Sequence, residues 1–274
     1  MIQQRAPSAP LRPFIARLWA SDGPPDAALA GPLRREHVLP TGLMHIVIRL
    51  DERPLHFVQP HTLMRSAAAL SLVGGARSHF HARESVGASC SVGALLWPGT
   101  AALLFGAGAH ELAQRHTALD DLWGRPRADD LRAELGELRG AGDRMALLEA
   151  RLGERLPILR GLHPQVAALM RCVTEAPTVG AAVRRTGVSH RRFIADFRHA
   201  VGLAPKEYLQ VQRLQRALKV MRSDQAAALA DVAALAGYAD QSHFGREFLA
   251  FAGVTPARYR AASPAQGNHL PIAD

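Results

Sequence analysis

Gly237-Tyr238-Ala239-Asp240-Gln241-Ser242-His243-Phe244-Gly245-Arg246-Glu247-Phe248, followed by Gly253, Pro256 and Tyr259, decides how the C-terminal part of this chain folds. An earlier version reads Gly187-Val188-Ser189-His190-Arg191-Arg192-Phe193-Ile194-Ala195-Asp196-Phe197, then Gly202, Pro205 and Tyr208. From phenylalanine to tyrosine the two versions lie 51 residues apart, whereas their leading glycines lie 50 apart. One residue is therefore inserted in the second turn. Each version begins with a glycine tolerant of positive φ. A good N-cap follows, Ser189 or Asp240, and a glycine ends the helix. A proline then opens the next helix, Pro205 or Pro256. Two matched helix-turn-helix units joined by a long helix, about 205 to 221, predict a protein that grips DNA at two places on one face.

In such a unit the first helix braces the second, and the start of the second reaches base edges. In the first unit these positions are His190, Arg191, Ile194 and Ala195; in the second they are Gln241, Ser242, Gly245 and Arg246. Arginine pairs with guanine and glutamine with adenine. His190, Arg191, Gln241, Ser242 and Arg246 are therefore the candidate base contacts. Ser189, Arg184, Arg185, Arg198, Lys206 and Arg222 are candidate phosphate contacts. Phe193 and Phe197, like Phe244 and Phe248, stand at i and i+4 and belong to the core rather than to a stacking platform. Gly237 and Pro256 complete that framework.

Residues 164–262 resemble the DNA-binding domain of the AraC/XylS family of bacterial transcription regulators. Ala233, Gly237-Tyr238, Ser242-His243-Phe244, Arg246, Phe248, Gly253, Thr255-Pro256 and Tyr259-Arg260 carry the likeness. It implies seven helices, two helix-turn-helix units and insertion into successive major grooves. It also implies promoter DNA as partner, a homodimer, and RNA polymerase as a further candidate partner. One departure stands out. The family often has arginine or glutamine where this chain has Ile194 and Ala195, and Asp196 follows. Neither apolar side chain can donate to a base, which weakens direct readout by the first unit.

Charge agrees with this placement. Of the net +9, residues 1–163 hold 19 arginines against 16 acids, and residues 164–264 hold 14 basic against 7 acidic residues. A basic segment attracts phosphate through counterion release. The chain of 274 residues, 48% hydrophobic, supports a substantial core. No run of about 18 apolar residues predicts a membrane span, and the N-terminus lacks a signal core. Cys90 and Cys172 are far apart, fitting a reducing cytoplasm rather than a disulfide framework. They also cannot form the cysteine cluster of a DNA-repair domain. No Gly-rich phosphate loop or Gly-x-Ser-x-Gly elbow is present.

The expected fold class is α+β, in four parts. Residues 1–125 form a β-rich sensing domain, a small β-barrel of cupin-like type. Residues 126–160 form a helical hairpin, a linker or a dimer seam. Residues 161–263 form the DNA-binding domain, and 264–274 a tail. Apolar runs at 44–50, 70–73 and 92–97 predict strands, with turns at Gly23-Pro24-Pro25, Gly31-Pro32, Pro40-Thr41-Gly42, Gly74-Gly75 and Pro98-Gly99. Leu131, Leu135 and Leu138, then Leu148, Leu152 and Leu156, stripe two helices. Pro157 and Pro164 bracket a short linker. The stretch from His37-Val38-Leu39-Pro40-Thr41-Gly42 to Val92 through Gly99 resembles the amino-terminal domain of a subset of these regulators. With Ala107 through Leu112 and Leu119 through Gly124, it implies a domain that senses an unidentified effector or supports dimerisation.

His79-Phe80-His81 with Glu84 is similar to the His-x-His…Glu of metal-binding cupins, and those side chains suit a divalent transition metal. The fourth ligand is unassigned, so no cofactor and no catalytic residue is expected. The chain reads as a cytoplasmic regulator rather than an enzyme. A metal-dependent cupin-like enzyme with an accessory DNA module, and an architectural DNA binder lacking an effector, remain as alternatives.

Overall fold

A computed structural model describes residues 2–23, 33–52, 55–58, 64–86, 89–156, 164–175, 178–265 and 267–272. The expected turns at 24–25 and 31–32 and the linker at 157–163 lie outside the described residues. Strands and helices are numbered in chain order. The N-terminal part is built on two antiparallel sheets. Sheet A runs β1-β2-β9-β4-β7-β10. Its strands are β1 Ile2–Arg5, β2 Ile15–Ser21, β4 Met44–Arg49, β7 Ser71–Gly74, β9 Ser91–Leu96 and β10 His116–Ala118. Sheet B runs β11-β3-β8-β5-β6. Its strands are β3 Leu33–Val38, β5 Leu55–Val58, β6 Arg65–Ala67, β8 His81–Val86 and β11 His269–Ile272. Among the described residues no ladder joins the two sheets, so the expected small barrel is an open pair of layers. Its outer strands are short: β10 and β6 have three residues each, too few to carry a closing ladder.

The three apolar runs anticipated in the sequence became β4, β7 and β9, which lie side by side with β2 in sheet A. Leu18, Ala20, Ile46, Ile48, Val73, Val92, Ala94 and Leu96 share one face and are buried. Five helices belong to this part, and two of them, α3 and α5, lie on that sheet: α1 Thr100–Phe105, α2 Ala109–Leu112, α3 Leu119–Trp123, α4 Arg125–Glu137 and α5 Ala141–Arg155. α5 lies on β2 and β9, and α3 on β7. Leu148 and Leu152 are fully buried there, each contributing about 1.5–3 kcal/mol. The α5 leucine stripe is thus consumed by packing inside the chain.

The opposite face of sheet A looks toward sheet B and is chemically different. Register places Trp19, His45, Val47, Gly74, Gly93 and His116 on it. The His45 ring lies over Gly74 and the Trp19 ring over Gly93, where an added Cβ would collide with each. Sheet B answers with Glu36, Phe57, His81, Arg83 and His269, which share its inward face. Phe57 stacks on His116 across the gap at 3.6 Å, and His81 meets His116 edge-on at 4.8 Å. The alternation explains the fate of the metal candidates. His81 and Glu84 are three residues apart on β8 and project from opposite faces. Glu84 is held by Arg35 and Arg65 on the far side, and His79 stacks on Phe251. The three therefore do not converge, and no metal-holding group occurs among the described residues.

Burial, reinforced by Arg77, pushes His45 down to about 4 and His116 down to about 2. Burial, with His116 beside it, holds His81 well below its ordinary value. These imidazoles are neutral in the fold, while the unfolded chain protonates them near their ordinary pKa of about 6.5. A depressed folded pKa contributes stability that is complete above the unfolded value and lost as pH falls through the folded one. The guanidinium midpoint is expected to fall steadily between about pH 6.5 and pH 5, above the ordinary carboxylate range. His45→Gln should flatten that slope. A midpoint unchanged across the window would contradict the buried neutral histidines.

The C-terminal part is helical: α6 Pro164–Glu175, α7 Val179–Thr186, α8 His190–Val201, α9 Pro205–Ser223, α10 Leu229–Ala236, α11 Gln241–Ala252 and α12 Pro256–Ala262. The chain then returns to the N-terminal part. The Tyr259 hydroxyl donates to Gly267 O at 2.8 Å, and the Leu39 amide donates to Asn268 O at 2.8 Å. Residues 269–272, read in sequence as tail, form β11 beside β3.

Candidate nucleic-acid interface

The two units repeat each other in capping as well as in sequence. Gly187 and Gly237 end α7 and α10 in the left-handed region, with φ of 67° and 87°. Three residues, 187–189, connect α7 to α8, and four, 237–240, connect α10 to α11. The inserted residue therefore sits in the second turn, where Tyr238 is buried. Ser189 accepts from the Arg192 amide at 3.3 Å, and Asp240 from the His243 amide at 2.6 Å. Phe193, Phe197, Phe244 and Phe248 are all 0% exposed. They fix which faces of α8 and α11 look outward. Pro256 opens α12 and is buried.

The outward stripe of α8 carries His190, Arg191, Ala195 and Arg198, all exposed, with Ile194 half-buried among them. That of α11 carries Gln241, Ser242 and Arg246, exposed, with Gly245 half-buried and Leu249 at 47% exposure. Position for position, the arginine stands elsewhere in each stripe: Ala195 matches Arg246, and Arg198 matches Leu249. Arg192 turns along its own helix and pairs with Asp196 at 2.8 Å. Its guanidinium is thereby occupied, so Arg191 is the cation that the start of α8 presents. Arg184, Arg185 and Lys206 are exposed, and Arg185 lies 3.8 Å from Glu175. Arg222 packs along Gly267, where the chain turns back toward sheet B.

Two features had no local signal in the sequence. The first is Glu247, one residue past Arg246, which is buried. It accepts from Arg213 at 3.0 Å and from Gln210 at 2.9 Å, both on α9. This charged pair ties the second recognition helix to the central one. Its partners stand 34 residues or more apart, so no spacing rule marks them. The matching Asp196 makes an exposed pair with Arg192 instead. The second feature is that the N-terminal part holds the far ends of both recognition helices. The Gly99 amide donates to Ala200 O on α8 at 2.7 Å. The Phe80 amide donates to Phe251 O on α11 at 2.9 Å, and His37 Nδ1 donates to Ala252 O at 3.0 Å. Gln215 on α9 donates to Pro40 O at 2.7 Å.

Comparison with known proteins agrees with this geometry. Residues 182–262 match the family model of a helix-turn-helix domain, covering most of α7 through α12. The C-terminal part is a helix-turn-helix domain of AraC type. Residues 3–118 match a second model, a domain of unknown function (DUF6597). The HTH-type transcriptional activator RhaR of Pectobacterium carotovorum is 27% identical over 173 residues, which are 56% of this chain. The chain spans 59% of the length of that relative. Among solved structures, ToxT of Vibrio cholerae is similar at a TM-score of 0.46 and 9% identity, over 97% of this chain and 99% of ToxT. ToxT of strain O395 gives the same TM-score at 8% identity, over 97% and 99% of the two chains.

Within the AraC-type domain, Gly245 is the position where stability and contact oppose each other. It lies inside α11, and an added Cβ would meet no atom within 4 Å. Alanine there is expected to stabilise the domain by about 0.5–1 kcal/mol through helix propensity. The same methyl group would stand in the outward stripe and keep the helix backbone from approaching DNA. Gly245→Ala should therefore unfold later in guanidinium yet bind operator DNA more weakly. Unchanged affinity would remove Gly245 from the contact surface.

Proposed function

We propose that this chain is a sequence-specific DNA-binding regulator of transcription that reads bases chiefly with its second helix-turn-helix. One observation carries the reading. Gln241, Ser242 and Arg246 stand on one exposed stripe of α11, backed by two fully buried phenylalanines and tied to α9 through Glu247. Bidentate donors on a rigid helix are what recognition of major-groove edges requires. On α8, Ala195 replaces the arginine and Arg192 is paired with Asp196. That helix acts mainly through Arg198 and Ser189, which position the protein on phosphates, with His190 and Arg191 as its base contacts.

In this reading residues 1–125 sense an effector or support a homodimer, α5 buttresses sheet A, and residues 161–263 bind the promoter. RNA polymerase is the further partner. The N-terminal contacts to the ends of α8 and α11 offer a route for regulation, since a shift of one part changes the relative setting of both recognition helices. That is a coupling between sites. Binding-site selection from random duplex DNA by the full chain tests the proposal. Recovery of a motif whose better-defined half is abolished by Gln241→Ala supports it. Enrichment without any motif would make the chain an architectural binder.

A further inference from the structure

One side chain on the outward stripe of α11 has no polar atom. Leu249 is 47% exposed and stands three residues after Arg246, four after Gly245 and seven after Ser242. At about 3.6 residues per turn these positions share one face, and Leu249 neighbours both Gly245 and Arg246. Phe244, Phe248 and Phe251 are buried on the other side of the helix, so Leu249 points away from the core. A leucine exposed singly on a surface needs no function. What distinguishes Leu249 is its company. It continues the stripe of candidate base contacts, and Ala250 beside it is exposed as well. The matching residues of α8 are Arg198 and His199, both polar. Past Arg246, the outward side of α11 therefore offers DNA hydrocarbon alone. The backbone beneath is fixed. Leu249 O accepts from the Gly253 amide at 2.9 Å, and Phe80 and His37 bond to Phe251 O and Ala252 O behind it. No atom lies within 4 Å of where a Gly245 side chain would begin, which leaves an open notch next to Leu249.

We propose that Leu249 is a specificity-determining residue, whose side chain receives the C5-methyl group of a thymine in the major groove, at the notch left by Gly245. Among the groups that base pairs display in that groove, the thymine methyl is the apolar one, and hydrocarbon rather than a donor matches it. The missing side chain at Gly245 lets the helix backbone come close. Leu249 lies about 4.5 Å beyond Arg246 along the helix, against about 3.4 Å between base pairs, so the thymine stands beside the pair met by Arg246. Cytosine in its place lacks the methyl group and sets its N4 donor, unpaired, against hydrocarbon. The two side chains thus divide the reading. Arg246 selects by hydrogen bonds, and Leu249 by taking a methyl group out of water. This inference rests on the base-reading role proposed for α11, and names a feature of the DNA which that role selects.

The test uses the full chain and the duplex that binding-site selection returns. Each thymine is replaced in turn by deoxyuridine, which removes the methyl group and keeps every hydrogen-bonding group. One replacement, in the half-site lost with Gln241→Ala, is expected to weaken binding about 3- to 5-fold, the worth of one methyl group taken out of water. Leu249→Ala should weaken binding to the thymine duplex by about 3- to 10-fold and leave the salt slope unchanged. It should also be indifferent to that one deoxyuridine, the non-additivity expected when residue and methyl group meet. Leu249→Met should keep most of the preference. The guanidinium midpoint of Leu249→Ala should stay where it is, because the side chain is exposed. Three binding results would overturn the inference: no deoxyuridine in that half-site matters, Leu249→Ala binds as before, or the same deoxyuridine costs the variant as much as the parent. So would normal operator binding by Leu249→Ala with loss of transcription by purified RNA polymerase, which makes the leucine a protein contact. Gln241→Ala and Arg246→Ala keep the two readings apart. If they relax specificity while every deoxyuridine is silent, α11 reads bases without Leu249. A selection that returns no motif, or a half-site without thymine, also overturns the inference, and the absence of any motif removes the base-reading role with it.

Discussion

Phe248→Ala is expected to cost the C-terminal domain about 3–5 kcal/mol, the range for emptying an aromatic core site. Phe248 has no exposed surface. Its ring meets Phe244 at 5.5 Å and Tyr259 at 5.6 Å, each near edge-to-face. Alanine leaves a void among rings that cannot collapse without moving α11 or α12. Whole domains are stable by only about 5–15 kcal/mol, so much of the margin would go. Guanidinium unfolding followed by circular dichroism measures it. Because α12 leads into β11, the loss should also loosen the hold of the two parts on each other, and operator binding should fall with it. A cost below about 1 kcal/mol would mean that the ring is not closely packed.

Arg246→Ala is expected to cost about 1–3 kcal/mol at one base pair and to relax specificity there. Fold stability should be nearly unchanged, because the side chain is exposed. Competition titrations over an operator with each base varied in turn give the answer. Loss confined to one position assigns Arg246 to a base edge. An equal loss on every sequence, with a salt slope smaller by about one, would assign it to phosphate instead.

Much of the DNA-binding half was legible before any coordinates, and the reason is local. Caps, left-handed glycines and i, i+4 aromatics act within a few residues, so Ser189, Asp240, Gly187, Gly237 and the four phenylalanines announce themselves in order. The inserted turn residue, inferred from two offsets, appears as the longer loop at 237–240. The asymmetry of the two recognition helices was partly readable too, in Ile194, Ala195 and Asp196. What could not be read was that Arg192 would be taken up by Asp196 while Glu247 would go inward to Arg213.

The β-rich half was legible only where a strand has a hydrocarbon face. β4, β7 and β9 showed themselves because sheet A is buried under helices. β3, Leu-Arg-Arg-Glu-His-Val, and β8, His-Ala-Arg-Glu-Ser-Val, have no apolar alternation, since their inward face meets charge and imidazole rather than a core. The His79, His81 and Glu84 motif, which the sequence did not carry as far as a metal site, fails to converge for a related reason. Spacing in sequence does not say which face of a strand a side chain takes, and three residues along β8 is an odd step.

By itself the sequence determined the seven helices of the DNA-binding part, the matched pair of turns, and the stripe that α11 exposes. Those features follow from interactions among neighbours in the chain. The tertiary structure alone decided the rest. It sent residues 269–272 back to β3, set Phe80 and His37 on the end of α11, and left Arg77 among neutral histidines. Each of these joins residues tens to hundreds of positions apart, where the packing of whole sheets and helices, not local propensity, determines which groups meet.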